Sequence, residues 1–104
     1  MKVTWTNKAE MERESIAEYI RNGFGTKRMK QFVREVDQVV KMIVRYPNMG
    51  PIDPLFADRP RSYRSVIVGG LSKMVYFVEG DVVYIASMWD CRRDPEVQAA
   101  EVAQ

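Results

Sequence analysis

Apolar side chains recur at two spacings along this chain, and each change of spacing marks the border of an element. Lys2 to Trp5 alternates polar and apolar residues, the period of a strand with one covered face. Thr6 and Asn7 follow, and either can cap a helix by accepting from a backbone N–H that lacks an intrahelical partner. Ala9, Ile16, Tyr19 and Ile20 then recur at helical spacing. Gly23-Phe24-Gly25 ends the run, since glycine tolerates the left-handed conformation of a helix exit. The clearest periodicity comes next: Met29, Phe32, Val33, Val36, Val39, Val40 and Ile43 form one apolar stripe, with the basic residues mostly opposite. Tyr46-Pro47-Asn48-Met49-Gly50-Pro51 stops it, because proline lacks the N–H a helix needs and disfavours a helical residue before it. Two antiparallel helices are predicted.

Ile52 to Pro60 is rich in Pro and Asp and reads as a loop. Strand character returns over Ser62 to Val68, Ser72 to Val78 and Val82 to Trp89. Gly69-Gly70 and Glu79-Gly80-Asp81 supply the positive-φ turns of hairpins. The last of these strands is nearly continuous in apolar residues, which predicts a central position covered on both faces. Asp94, with Pro95 after it, can cap a short final helix over Glu96 to Gln104. The expected fold is α+β in a single domain over residues 1–104. An N-terminal strand, a helical hairpin and a three-stranded antiparallel meander form one sheet with the hairpin on one face, followed by a short C-terminal helix.

Composition narrows the chemistry. A chain of 104 residues has room for one core. No apolar run approaches the roughly 20 residues of a membrane span, and Met1 to Trp5 leads straight into a polar segment, so a cytoplasmic protein without a signal peptide is expected. The single cysteine, Cys91, excludes an intramolecular disulfide. Histidine is absent, which removes Ser-His-Asp and Cys-His catalysis and the commonest zinc site. Acid–base work then falls to Lys, Arg, Tyr, Cys or a carboxylate. With no Gly-rich phosphate loop and no ligand cluster, neither metal nor cofactor is expected. The net charge of +2 hides a segregation. Carboxylates prevail from Glu10 to Glu18, and cations from Lys27 to Arg45, where Lys27, Arg28, Lys30, Arg34, Lys41 and Arg45 face Glu35 and Asp37. Arg59, Arg61, Arg64, Lys73, Arg92 and Arg93 are scattered through the second half. Such clustering can create a local positive potential.

The order of elements, together with certain residues, resembles the RelE/ParE family of toxins from type II toxin–antitoxin systems. Trp5, Lys8-Ala9, Ile16, Tyr19-Ile20 and Phe24-Gly25 are similar to the opening helix of ParE-like members. Tyr46-Pro47-Asn48-Met49-Gly50 is similar to the segment closing their second helix. Met74-Val75-Tyr76 with Val78-Glu79-Gly80-Asp81 resembles their hairpin, and Trp89 to Pro95 resembles their Arg-Asp-Pro ending. The resemblance covers nearly the whole chain.

Two activities follow from the resemblance, and a third reading is blander. RelE-type toxins cleave messenger RNA on the ribosome, a reaction that gathers negative charge on phosphate and needs preorganised cations. Carried over, that constellation becomes Arg64, Lys73 and Arg92 as catalytic residues, with Arg59, Arg61 and Arg93 contacting RNA. A second lysine is replaced by Val66, and a terminal tyrosine falls near Gln98. The recurrence of cations in separate motifs favours this ribosome-dependent endoribonuclease, provided that they converge on one open patch. The alternative is ParE-like inhibition of DNA gyrase by binding, which needs no such constellation. The third is a non-toxic relative that binds only antitoxin or RNA. The expected partners are an antitoxin, whose acidic segment would mask the basic surface, and either ribosome and mRNA or gyrase. Cys91, beside Arg92 and Arg93, can be read as a nucleophile but better as a small buried hydrophobe. Trp5, Tyr63, Tyr76, Tyr84 and Trp89 can be read as base-stacking residues but better as core. Asp90 is expected to pair with a nearby arginine.

Overall fold

Four strands form one sheet in the order β1-β4-β3-β2, with β1 at Lys2–Trp5, β2 at Arg64–Val68, β3 at Ser72–Glu79 and β4 at Val82–Asp90. The computed structural model describes residues 1–91 and Val102; the helix expected after Asp94 lies outside them. β2, β3 and β4 make the expected antiparallel meander. β1 joins the same sheet, as expected. It runs parallel to β4, Lys2 opposite Val82 and Trp5 opposite Ile85, so the sheet is mixed and β4 is central. Two helices fill the crossover between β1 and the meander, α1 at Asn7–Phe24 and α2 at Thr26–Arg45, and a parallel pairing needs a connection of that kind.

Thr6 is the residue that starts α1, its hydroxyl accepting from Ala9 N–H at 3.1 Å. The helix runs one residue past Gly23 and breaks only at Gly25, whose φ of 97° is open to glycine and strained for other residues. α2 begins at the next residue, which folds the two helices back on one another with no intervening loop. Their apolar faces meet the sheet in a core of Ala9, Phe32, Val36 and Ile43 against Val68, Met74, Tyr76, Val83, Ile85 and Met88.

The opposite face of the sheet is covered as well. Phe56 and Tyr63, from the connection before β2, pack with Val75, Phe77, Ala86 and Val102. This layer shortens β2 relative to expectation: Tyr63 is drawn into the second core, and its carbonyl accepts from Asp53 N–H at 2.9 Å. The predicted loop contains a 3-10 turn at Pro54–Phe56, capped by the Asp53 carboxylate, which accepts from Leu55 N–H at 3.0 Å.

Successive β3 residues therefore enter different cores, Met74 and Tyr76 facing the helices, Val75 and Phe77 facing away. β4 keeps the same phase only through a bulge. Val75 lies opposite Ser87 and Tyr76 opposite Ile85, so Ala86 is left as the extra residue.

Tyr76 fastens the chain leaving α2 to this framework. Its hydroxyl accepts from Gly50 N–H at 3.1 Å and donates to the Pro47 carbonyl at 2.7 Å. Burial pushes the phenol above its ordinary range, while the Gly50 N–H and the nearby Arg64 pull it down. A Cβ on Gly50 would stand 2.8 Å from the Ser65 carbonyl oxygen and 2.9 Å from the Tyr76 hydroxyl, so the joint requires glycine.

Tyr76→Phe strands the buried Gly50 N–H and should cost about 1–3 kcal/mol in urea unfolding. Because the folded pKa of this acid is raised, its stabilising contribution is complete below the ordinary tyrosine range. It is lost as pH rises through the folded value. The wild-type chain should thus lose more stability above about pH 10 than Tyr76→Phe does. Equal losses would remove Tyr76 as the source.

Candidate functional site

Strand register decides whether the sequence-predicted cations can act together. Arg64 lies opposite Tyr76, on the helical side of the sheet, whereas Lys73 lies opposite Ile67 and alternates with Met74 onto the other side. The expected convergence of Arg64 and Lys73 is corrected: the sheet separates them. Arg92 and Arg93 lie outside the described residues.

Each of the two is also engaged. The Arg64 guanidinium donates to the Gly50 carbonyl at 2.7 Å and the Asn48 carbonyl at 3.4 Å, closing the same loop that Tyr76 holds. The Lys73 ammonium donates to the Asp53 carboxylate at 2.9 Å, with the two side chains only 15% and 5% exposed, and stands 5.8 Å from the centre of the Phe56 ring. Asp53 thus holds the 3-10 turn with one carboxylate oxygen and Lys73 with the other. It is the residue that the sequence reasoning missed. Asp53-Pro54, a capping residue before a proline, was the available signal.

Arg59 and Arg61 are committed to the second core. Arg59 reaches the Val102 carbonyl at 3.4 Å and Asp58 at 3.4 Å, and lies 5.4 Å from the Phe56 ring centre. Arg61 sits 4.2 Å over Phe77 and 3.4 Å from Glu79. The aromatics are core, as anticipated: Tyr63, Tyr76 and Trp89 are buried, Trp5 and Tyr84 half-buried. Cys91 corrects its expectation, being exposed and not buried. Partial burial nonetheless pushes its thiol up, with Lys73 lowering and Asp90 raising it, and a raised thiol makes a poor nucleophile.

A different feature is open to ligands. β1 ends opposite Ile85, so among the described residues the outer edge of β4 continues without a neighbouring strand. Side chains stand in for one: the Thr6 hydroxyl donates to the Ala86 carbonyl at 3.4 Å, and Glu12, held by Lys8 at 2.8 Å, accepts from Met88 N–H at 3.2 Å. Beside this edge lies a cleft of about 370 Å³ between α1 and the sheet. Its floor includes Ile16, Ile20 and Met88, its rim Tyr19, Phe24 and Leu71, with Arg28 and Asp90 at the margins. The three rim residues are 54%, 67% and 52% exposed, an unusual concentration of apolar surface on one side of a small protein. Among the described residues no group of His, Cys, Asp and Glu side chains could hold a metal ion, and no helix is long and apolar enough to cross a membrane.

Residues 3–95 match the family model of the ParE toxin of the type II toxin–antitoxin system parDE. The chain belongs to the ParE toxin family. No curated protein matches the ParE-family chain. Its fold is similar to a chain from the solved structure of a chromosomal ParDE toxin–antitoxin system of P. aeruginosa. That likeness has a TM-score of 0.71 at 20% identity and covers 86% of this chain and 95% of the other. Membership in the family makes this ParE chain a toxin with an antitoxin partner.

The Lys73–Asp53 pair yields a test. Lys73→Met leaves a carboxylate buried without its cation and should cost about 3–5 kcal/mol in chemical denaturation. Changing both residues, Lys73→Met with Asp53→Leu, should recover much of that loss. A single change that costs nothing would show the pair to be idle.

Proposed function

We propose that this toxin arrests growth by binding DNA gyrase and not by cutting messenger RNA. The separation of Arg64 from Lys73 carries the reading. In-line attack of a ribose hydroxyl on its phosphate needs cations gathered around one group of oxygens. Here one cation serves two backbone carbonyls on the helical side, and the other is neutralised by a carboxylate on the far side. The Lys73 ammonium is taken up by the Asp53 carboxylate at 2.9 Å, and the side chain is only 15% exposed, so it is not presented to a ribose hydroxyl. Val66 and Gln98, standing where the RNA-cleaving pattern has a lysine and a tyrosine, weaken the enzymatic alternative further.

Purified toxin in micromolar excess should abolish negative supercoiling of relaxed plasmid by gyrase. Primer extension on mRNA from arrested cells should show no new 5′ ends within coding regions. Unimpaired supercoiling together with such ends would restore the nuclease reading. Unimpaired supercoiling with normal growth would favour the non-toxic relative.

For the antitoxin, the cleft beside β4 is the seat the geometry favours. A segment that folds on binding needs apolar surface to offset its ordering entropy, and Tyr19, Phe24 and Leu71 offer it next to an incompletely paired strand edge. An acidic segment is not required to neutralise Lys73, which Asp53 already does. Phe24→Asp and Leu71→Asp change exposed residues, so the toxin should remain folded while titration calorimetry shows antitoxin affinity falling tenfold or more, about 1.4 kcal/mol. Undiminished affinity would place the antitoxin elsewhere.

A further inference from the structure

The outer face of α2 carries a row of cations. Lys27, Lys30, Arg34, Lys41 and Arg45 are all exposed. At 3.6 residues per turn they fall within an arc of about 60°, diametrically opposite the Phe32, Val36 and Ile43 stripe that faces the core, and they extend over roughly 27 Å of helix. None forms an ion pair among the described residues; the Arg45 guanidinium lies 5.5 Å from the Tyr46 ring centre. Gln31 and Gln38 complete the exposed surface on one side of the row. Asp37 stands at its other margin, about one turn from both Arg34 and Lys41, and pairs with neither. The neighbouring helix has the opposite character, with Glu10, Glu14 and Glu18 exposed on α1.

We propose that this ridge is a binding surface for the phosphate backbone of double-stranded DNA. Five like charges in one narrow row repel each other, and a polyanion lying along the row relieves that repulsion while releasing the small ions that screen it. A peptide partner would find little to bury, because the apolar residues of α2 mostly face inward. A phosphate backbone needs only cations, and the Gln38 amide adds a neutral donor of the kind that bonds phosphate oxygens, whereas the Gln31 amide donates to Glu35 at 3.2 Å. The face of the row itself carries no aromatic side chain, and the exposed Tyr46 just past its end lies against Arg45, a single ring where unpaired bases would need a series of them to stack on. Its straightness over roughly 27 Å suits the phosphates flanking the wide major groove of B-form DNA. The A-form RNA duplex is a worse match, since its major groove is too narrow for side chains to enter. The acidic face of α1 repels phosphate, which fixes the side from which the duplex approaches. This surface is distinct from the cleft and stands whether or not gyrase is the target.

The test uses the full chain and a labelled random-sequence DNA duplex of about 20 base pairs, with binding followed by fluorescence anisotropy across a salt series. We expect micromolar affinity at low salt and a slope of about −4 for log affinity against log salt. Lys30→Gln, Arg34→Gln and Lys41→Gln together should weaken binding more than tenfold and reduce the slope by about 3. All three side chains are exposed, and an unchanged urea midpoint verifies the fold. Lys2→Gln removes one cation from β1, off the ridge, and should leave the slope unaltered. The proposal is overturned if the triple variant binds as the parent does, or if Lys2→Gln lowers the slope as much as Lys41→Gln. It is equally overturned if duplex RNA or poly-glutamate binds more tightly than the DNA.

Discussion

The alternation of β3 between two buried faces constrains everything around it. Met74 and Tyr76 belong to the core under the helices, Val75 and Phe77 to the core under the connection before β2. Any polar residue on this strand must find its partner within whichever layer it enters, because a buried charge without one is costly. Lys73 enters the second layer and takes Asp53; Tyr76 enters the first and takes Gly50 and Pro47. All three partners lie in the chain between α2 and β2. The two-sided sheet thereby fixes a long irregular segment at two points, and the same alternation keeps Arg64 from meeting Lys73. A cation pair that looks adjacent along the motif is parted by a layer of backbone.

A second consequence lies at the sheet edge. β1 is too short to pair the whole of β4, and the bulge at Ala86 aims the Met88 N–H at the open side. An exposed strand edge invites unwanted pairing. Glu12 and Thr6 limit that risk by satisfying individual backbone groups while leaving an apolar cleft alongside. The edge is thus partly masked, while Phe24 and Leu71 stay exposed at the rim of the cleft beside it.

Much of this was legible in the sequence, for stated reasons. The Phe32, Val36 and Ile43 spacing located α2 and its buried face, and the unbroken apolar run from Val82 marked β4 as central. Periodicity tells which face of a strand is covered, not which strand lies beside it, so the parallel pairing of β1 was hidden. The bulge at Ala86 was hidden for a related reason, since an extra residue shows only once two strands are aligned. The candidate site was read less well. Motif matching places Arg64 and Lys73 on neighbouring strands but does not register their facing, and the residue that decides the fate of Lys73 lies 20 positions upstream in a loop. Burial of Tyr63 and Trp89 followed from the expected core role of strand aromatics.

Charge is distributed by the same logic that distributes burial. In the second half of the chain, Arg59, Arg61, Arg64 and Lys73 all make contacts that hold the fold, to carboxylates, carbonyls or rings. Those contacts remove them from the pool of cations available to an external anion. On α2 the helix interior supplies its own backbone hydrogen bonds and the apolar stripe supplies the packing, so Lys27, Lys30, Arg34 and Lys41 take no part in the core, and only Arg45, over the Tyr46 ring in the last turn, has a local contact. A row of mutually repelling charges does nothing for folding, and helix formation alone would be served as well by alternating signs. Among the described residues, five exposed cations without an ion pair therefore share the face of α2 opposite its buried stripe, where the core makes no use of them.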